Sequence, residues 1–253
     1  MSRALALVLL LSPLQGQDPK AALEHARTVN LERAANLPNF VADETAMRYK
    51  SRHTDPPRWE YVDTIESEIS VKGADFRREN TRLNGKPWNN PTFPNFSWSV
   101  EFGAELKPLF SPKCGTTIKA DGRDEAAGKQ LLAYRFRAPR DGCFGTFYVR
   151  SGFFSRKQYK PAWTGRFLID DPGGNVVRFE EEAHEFPKGF GADPLTQTTT
   201  WDYVKIGEGS YLLPVATEIF GGFTRGDLWH VVVEYKNHRH FEASTNLKFQ
   251  PVQ

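Results

Sequence analysis

The stretch YKPAWTGRFLIDDPGGNVVRFEEEAHEFP, Tyr159 to Pro187, sets Asp170 and Asp171, three successive glutamates and His184 close enough in sequence to act together. Two carboxylates can hydrolyse a glycoside when they flank the scissile bond at about 5–10 Å. Glu180 and Glu182, two apart on a strand, just reach that separation. A second group is His230, His238 and His240 in LWHVVVEYKNHRHF. His-x-His on a strand turns two imidazoles to one side, as zinc sites sometimes require, but no fourth ligand or supporting acid lies nearby in sequence. Cys114 and Cys143 are the remaining reactive pair. In an exported chain an even cysteine count reads as a disulfide. It would close a loop of about 30 residues, worth about 3.5 kcal/mol. The alternative is two buried thiols. A thiol nucleophile is the weakest option, since neither cysteine has a histidine nearby in sequence. There is no phosphate loop, no Gly-x-Ser-x-Gly, no His-Glu-x-x-His and no calcium-loop spacing. Asn95 in NFS meets the glycosylation pattern, which is common by chance.

The elements that must position these groups favour a structural role for most of them. DPKAALEHARTVNLERAANLPN predicts one amphipathic helix that starts at Asp18-Pro19 and ends near Leu37. Beyond it the period changes to two, and residues 39–83 predict three strands of an antiparallel meander. In WEYVDTIESEISVKG, Trp59, Tyr61, Ile65, Ile69 and Val71 fall on one face by simple alternation. Residues 84–98 read as a long loop rich in Pro, Asn and aromatics, and SVEFGAELKPLFS as a second, short helix. The remainder reads as strands with connections too short for parallel crossovers. Asp170 and Asp171 then belong to the turn DDPGGN. Glu180, Glu182 and His184 share the outward face of the strand that follows.

The amino end, MSRALALVLLLSPLQGQ, has one basic residue, an apolar run from Ala4 to Leu14 and a polar exit. This is the layout of a secretory signal peptide, 1–16, with cleavage expected after Gly16 and one domain over 17–253. The run is too short to cross a bilayer as a helix, so the expected location is secreted or periplasmic. The chain carries 33 Lys+Arg against 31 Asp+Glu. A balance so near neutrality argues against nucleic acid or an anionic membrane as a general partner. Neither a cofactor nor a metal is expected.

Several strands are apolar on both faces. SYLLPVA sets Tyr211, Leu213 and Val215 against Leu212, Pro214 and Ala216, and LWHVVVEY repeats the trait. A sheet with one wet face would not need this. A curved sheet with helices on one side and a lined interior would. The predicted fold is α+β and mainly β: an antiparallel, strongly curved or half-closed β-barrel of about eleven strands, with a long N-terminal helix and a second short one.

In order of elements, and in the hairpin Y-x-x-x-W-x-G-x-x-x-ID-x-x-x-G-x-V-x-R-x-E from Tyr159 to Glu180, the chain resembles the periplasmic lipoprotein-sorting carriers and their relatives. It looks most like a secreted bacterial branch that also carries the strands Tyr211–Val215 and Glu234–Phe241. The resemblance implies an unclosed β-barrel covered by helices and a non-enzymatic carrier. The expected ligand is a lipid, an acyl chain or a lipidated protein, with Trp59, Tyr61, Trp163, Phe167, Leu213 and Trp229 as candidate lining residues. The competing class is an extracytoplasmic protein-interaction or sensor domain whose sheet is filled by its own side chains.

Overall fold

A computed structural model describes residues 18–52, 56–73, 75–90, 106–126, 128–145, 147–151, 155–187, 192–223 and 227–241. The expected signal peptide and Asn95 lie outside these residues. Helix α1 spans Pro19–Ala35, with the Asp18 side chain accepting from the Lys20 amide at 3.1 Å and proline in the first turn. Both features satisfy or remove donors that a helix start leaves orphaned. Its buried stripe is Ala22, Ala26 and Asn30, one residue per turn, and the small side chains let the helix lie close to the sheet.

Four strands follow: β1 Phe40–Arg52, β2 Glu60–Lys72, β3 Asp75–Leu83 and the two-residue β4 Lys86–Pro87. Helix α2, Leu106–Phe110, runs into a 3₁₀ turn at Pro112–Cys114. Then come β5 Thr117–Ala126, β6 Lys129–Ala138, β7 Phe147–Ser151, β8 Ser155–Tyr159, β9 Ala162–Asp170 and β10 Val176–His184. Three long strands close the list: β11 Ala192–Ile206, β12 Gly209–Phe223 and β13 Asp227–His240. Strand β8 was not expected, because SRKQY has no alternating apolar residues to mark it.

Eleven strands form one sheet in the order β4-β3-β2-β1-β13-β12-β11-β10-β9-β6-β5, and β7 pairs only with β8. Each described pairing is antiparallel, and β4 and β5 are edges that do not meet. The sheet is therefore unclosed, as expected. Helices α1 and α2 pack on one face. Tyr134 Oη on β6 donates to the Pro19 carbonyl at 2.7 Å, Arg27 of α1 donates to the Phe110 carbonyl at 2.5 Å, and Phe110 meets Phe167 of β9 edge to face at 5.7 Å. One continuous core joins both helices to the inner face of the strands. A small outer-face cluster of Leu131, Ala133 and Leu168 accounts for apolar residues on the other side of β6 and β9.

Candidate functional site

The acidic hairpin is a docking element for the helix. Asp170 Oδ1 accepts from the Asn175 amide at 2.6 Å, and its backbone oxygen accepts from Gly174 N at 2.9 Å, which fixes the turn. Buried Asn30 of α1 then bridges to it, donating from Nδ2 to the Gly174 carbonyl at 2.8 Å and accepting from Val176 N at 3.0 Å. Gly174 has φ +73, and a Cβ there would come within 2.7 Å of His25 on the helix, so the close approach needs glycine. On the following strand Glu180 pairs with Arg178 at 2.6 Å, and Glu182 lies 3.6 Å from His184. These carboxylates stand on the outer face, each beside a basic side chain of its own strand.

The three C-terminal histidines do not converge. His230 lies on the outer face, its Nε2 2.6 Å from Glu218. His238 packs against Phe40, ring centroids 5.6 Å apart, and burial lowers its pKa. Among the described residues no three His, Cys, Asp or Glu side chains come together as a metal site. Cys114 and Cys143 are bridged, with Cα atoms 5.3 Å apart.

Of the six candidate lining residues, Trp163, Phe167, Leu213 and Trp229 are buried, at 5%, 0%, 0% and 5% exposure. Phe167 is sandwiched by Tyr134 at 5.3 Å and Phe110, and beside it Phe136 stacks on Phe144 and Phe179 at 5.6 and 5.1 Å. A Cβ at Gly165 would come within 2.0 Å of the Glu180 carbonyl on the neighbouring strand and 2.4 Å of the Phe136 ring, so the glycine of the W-x-G motif makes room for both the close backbone and the aromatic stack. Trp59 and Tyr61 stand on the other face, with Tyr61 57% exposed. The register explains this: Arg48 faces Asp63 but Tyr49 faces Tyr61, so Val62 is an extra residue. Such a bulge transfers every residue before it to the opposite side of the sheet. Simple alternation, which put Trp59 and Tyr61 with Ile65, is corrected by that one residue.

Sequence reasoning also missed a polar interior on β1–β3. Arg48 is fully buried and forms a two-pronged pair with Asp63, both contacts 2.6 Å, with its guanidinium 5.8 Å from the Trp229 ring. Glu44, also buried, holds Arg78 the same way at 2.6 and 2.8 Å. Ser67 and Thr81 hydroxyls meet at 3.1 Å. Parity was the available signal, since Glu44 and Arg48 alternate with Phe40, Ala42 and Ala46 on the buried face. Buried charges survive only when paired and hydrogen-bonded, and loss of one partner costs about 3–5 kcal/mol. At the β3–β4 end of the sheet, next to these pairs, opens a cavity of about 740 Å³ lined by Arg78, Arg82, Asn80, Trp88 and Asn90 among others. The Trp88 indole N–H is buried without a hydrogen-bond partner among the described residues.

No family model and no curated protein matches the chain. Solved structures do. The chain is similar to a LolA superfamily protein from Nitrosomonas europaea at 8% identity, covering 90% of this chain and 95% of that one, TM-score 0.31. It is similar to an outer membrane lipoprotein-sorting protein domain from Vibrio parahaemolyticus at 10% identity, covering 91% and 95%, TM-score 0.42. It is likewise similar to a DUF1329 family protein from Desulfovibrio piger at 9% identity, covering 92% and 96%, TM-score 0.41. The names of these structures include the lipoprotein-sorting proteins that the hairpin from Tyr159 to Glu180 resembles. The architecture rests on the strand order above, an unclosed antiparallel sheet with two helices on one face.

Proposed function

We propose that this chain is an exported, non-enzymatic binding protein for a lipid, an acyl chain or a lipidated protein, held at the open β3–β4 end of the sheet. The observation that carries it is the cavity of about 740 Å³ at that edge. Its volume lies within the range of about 300–1,000 Å³ usual for small-molecule sites, and its described lining is mostly polar, with Pro87 and Trp88 the apolar part. The lining suggests how a ligand would be oriented. Arg82 has no ion pair among the described residues and can meet an anionic head group, and Trp88 offers apolar surface with a free donor. Trp163, Phe167 and Leu213 then serve as the wall that keeps the sheet curved, and the ligand does not displace them. Reading the chain as non-enzymatic is supported by the engagement of Asp170, Glu180, Glu182 and His184 in turn and surface contacts.

The test is to purify the protein from its native envelope, extract it with organic solvent and weigh the extract by mass spectrometry. A stoichiometric lipid is expected. The delipidated protein should bind a fluorescent fatty acid, with Arg82→Glu and Trp88→Ala each weakening binding about tenfold or more. Absence of both lipid and probe binding would sink the carrier reading in favour of a protein-interaction domain.

A further inference from the structure

The outer face of the sheet carries a second cavity. Cross-strand register aligns Glu182, Thr196, Phe220, His230, Tyr49 and Tyr61 in one row from β10 to β2. The adjacent row runs Glu180, Thr198, Glu218 and Val232. Trp59, released to this side by the bulge at Val62, folds onto the row: its ring meets Phe220 at 5.5 Å and 82°, and His230 at 5.4 Å and 55°. Tyr49 extends the aromatic surface, 5.8 Å from His230 and 6.0 Å from Tyr61. Between Trp59, Phe220 and the two β11 threonines opens a cavity of about 360 Å³.

Among the described residues its lining contains no lysine or arginine and a single carboxylate, Glu218, whose side chain is 59% exposed and gives one oxygen to His230 Nε2. Glu180 and Glu182 border it on β10, directly across from Thr198 and Thr196. Aromatic faces beside a lone carboxylate attract a cation, and they favour one whose charge is spread over methyl groups. Such an ion sheds water cheaply and gains about 0.5–2 kcal/mol from a ring face. A strongly hydrated metal ion would find too few oxygens here. An anion would find no lysine or arginine among the described lining residues.

We infer that this cavity binds a small alkylated ammonium group. The group could belong to a free quaternary amine or to a phosphocholine lipid head, and the two sources are separable by experiment. The site shares no lining residue with the β3–β4 cavity, so its failure would leave the carrier proposal standing.

The experiment titrates the intact chain with choline and with 3,3-dimethylbutanol, its neutral isostere, following Trp fluorescence and heat. Saturable choline binding is expected, with the isostere at least about tenfold weaker. Glu218→Gln and Trp59→Leu should each weaken choline about tenfold, with unchanged far-UV circular dichroism. Glu218 is exposed, so its variant keeps the test valid even if Trp59→Leu disturbs the fold. Co-sedimentation with phosphatidylcholine vesicles, lost on adding free choline, assigns a lipid head as the source. Choline binding without co-sedimentation assigns a soluble amine. Equal binding of the isostere, indifference to both substitutions, preference for a neutral sugar, or no saturable binding overturns the inference.

Discussion

Asn30 shows how much a single side chain can decide. It is fully buried on α1, donates to the carbonyls of Ala26 and Gly174 at 2.7 and 2.8 Å, and accepts from Val176 N at 3.0 Å. It thereby replaces, on the hairpin, backbone hydrogen bonds that the turn residues cannot make to each other. Asn30→Ala would leave a carbonyl and an amide without partners in a dry contact, each costing about 1–3 kcal/mol. We expect a loss of roughly 2–4 kcal/mol by urea unfolding, with protection of the Val176 amide from hydrogen exchange falling in parallel. Loss of stability with Val176 protection intact would show that the bridge does not hold the hairpin. The bulge residue Val62 is the other single-position device. One extra residue in β2 sends Trp59 and Tyr61 to the outer face and leaves Asp63 inside to meet Arg48.

At the scale of elements, the disulfide ties the 3₁₀ turn after α2 to the turn after β6. Cys114 and Cys143 are 29 positions apart, and the loop they close contains all of β5 and β6. Beside the bridge, Phe144 stacks on Phe136, so the tie also anchors the aromatic column that runs to Phe179. Cys114→Ala is expected to lower stability by about 2–5 kcal/mol through the enlarged unfolded ensemble. The wild-type chain, unfolded without reductant, should take up no thiol reagent, and two equivalents after reduction. Reactive thiols before reduction would contradict the bridge.

For the whole molecule, acid acts in one direction. Hydrogen bonds hold three carboxyls below their ordinary range: Asn237 at Asp43, Arg135 at Asp121 and Arg166 at Asp124. A depressed carboxyl stabilises the fold above its unfolded pKa, near 3.8, and that contribution is lost as pH falls through the folded value. Burial likewise lowers His238 from 6.5, with a hydrogen bond to the Pro214 backbone opposing it. Below about pH 6.5 the unfolded chain binds this proton more readily than the folded one, so stability falls with pH there too. Urea midpoints should therefore decline in two stages, first below about pH 6.5 and again below about pH 4. His238→Gln should abolish the first decline and leave the second. A midpoint that does not change between pH 7 and 5 would show that His238 stays solvated.

What the sequence determined by itself is what neighbours within a few residues can decide. Asp18-Pro19 starts a helix because it satisfies or removes orphan donors, DDPGGN turns because Pro and Gly permit little else, and period-two stretches become strands. The overall composition of the sheet and its unclosed form were also legible, through that pattern and the resemblance it carries. Only the tertiary structure decided which distant strands meet and which face the residues beyond a bulge take. β1 pairs with β13 across most of the chain, and β6 pairs with β9 while β7 and β8 stand apart. Alternation assigns faces only relative to one another, and a single extra residue at Val62 reverses the assignment. Parity sets Glu44 and Arg48 on one face with Phe40, Ala42 and Ala46, but it does not say what neutralises them there. A charge is tolerated in the core only beside its partner, and Arg78 lies 34 positions from Glu44, two strands away in the meander, where only the register of both pairings brings the two side chains together.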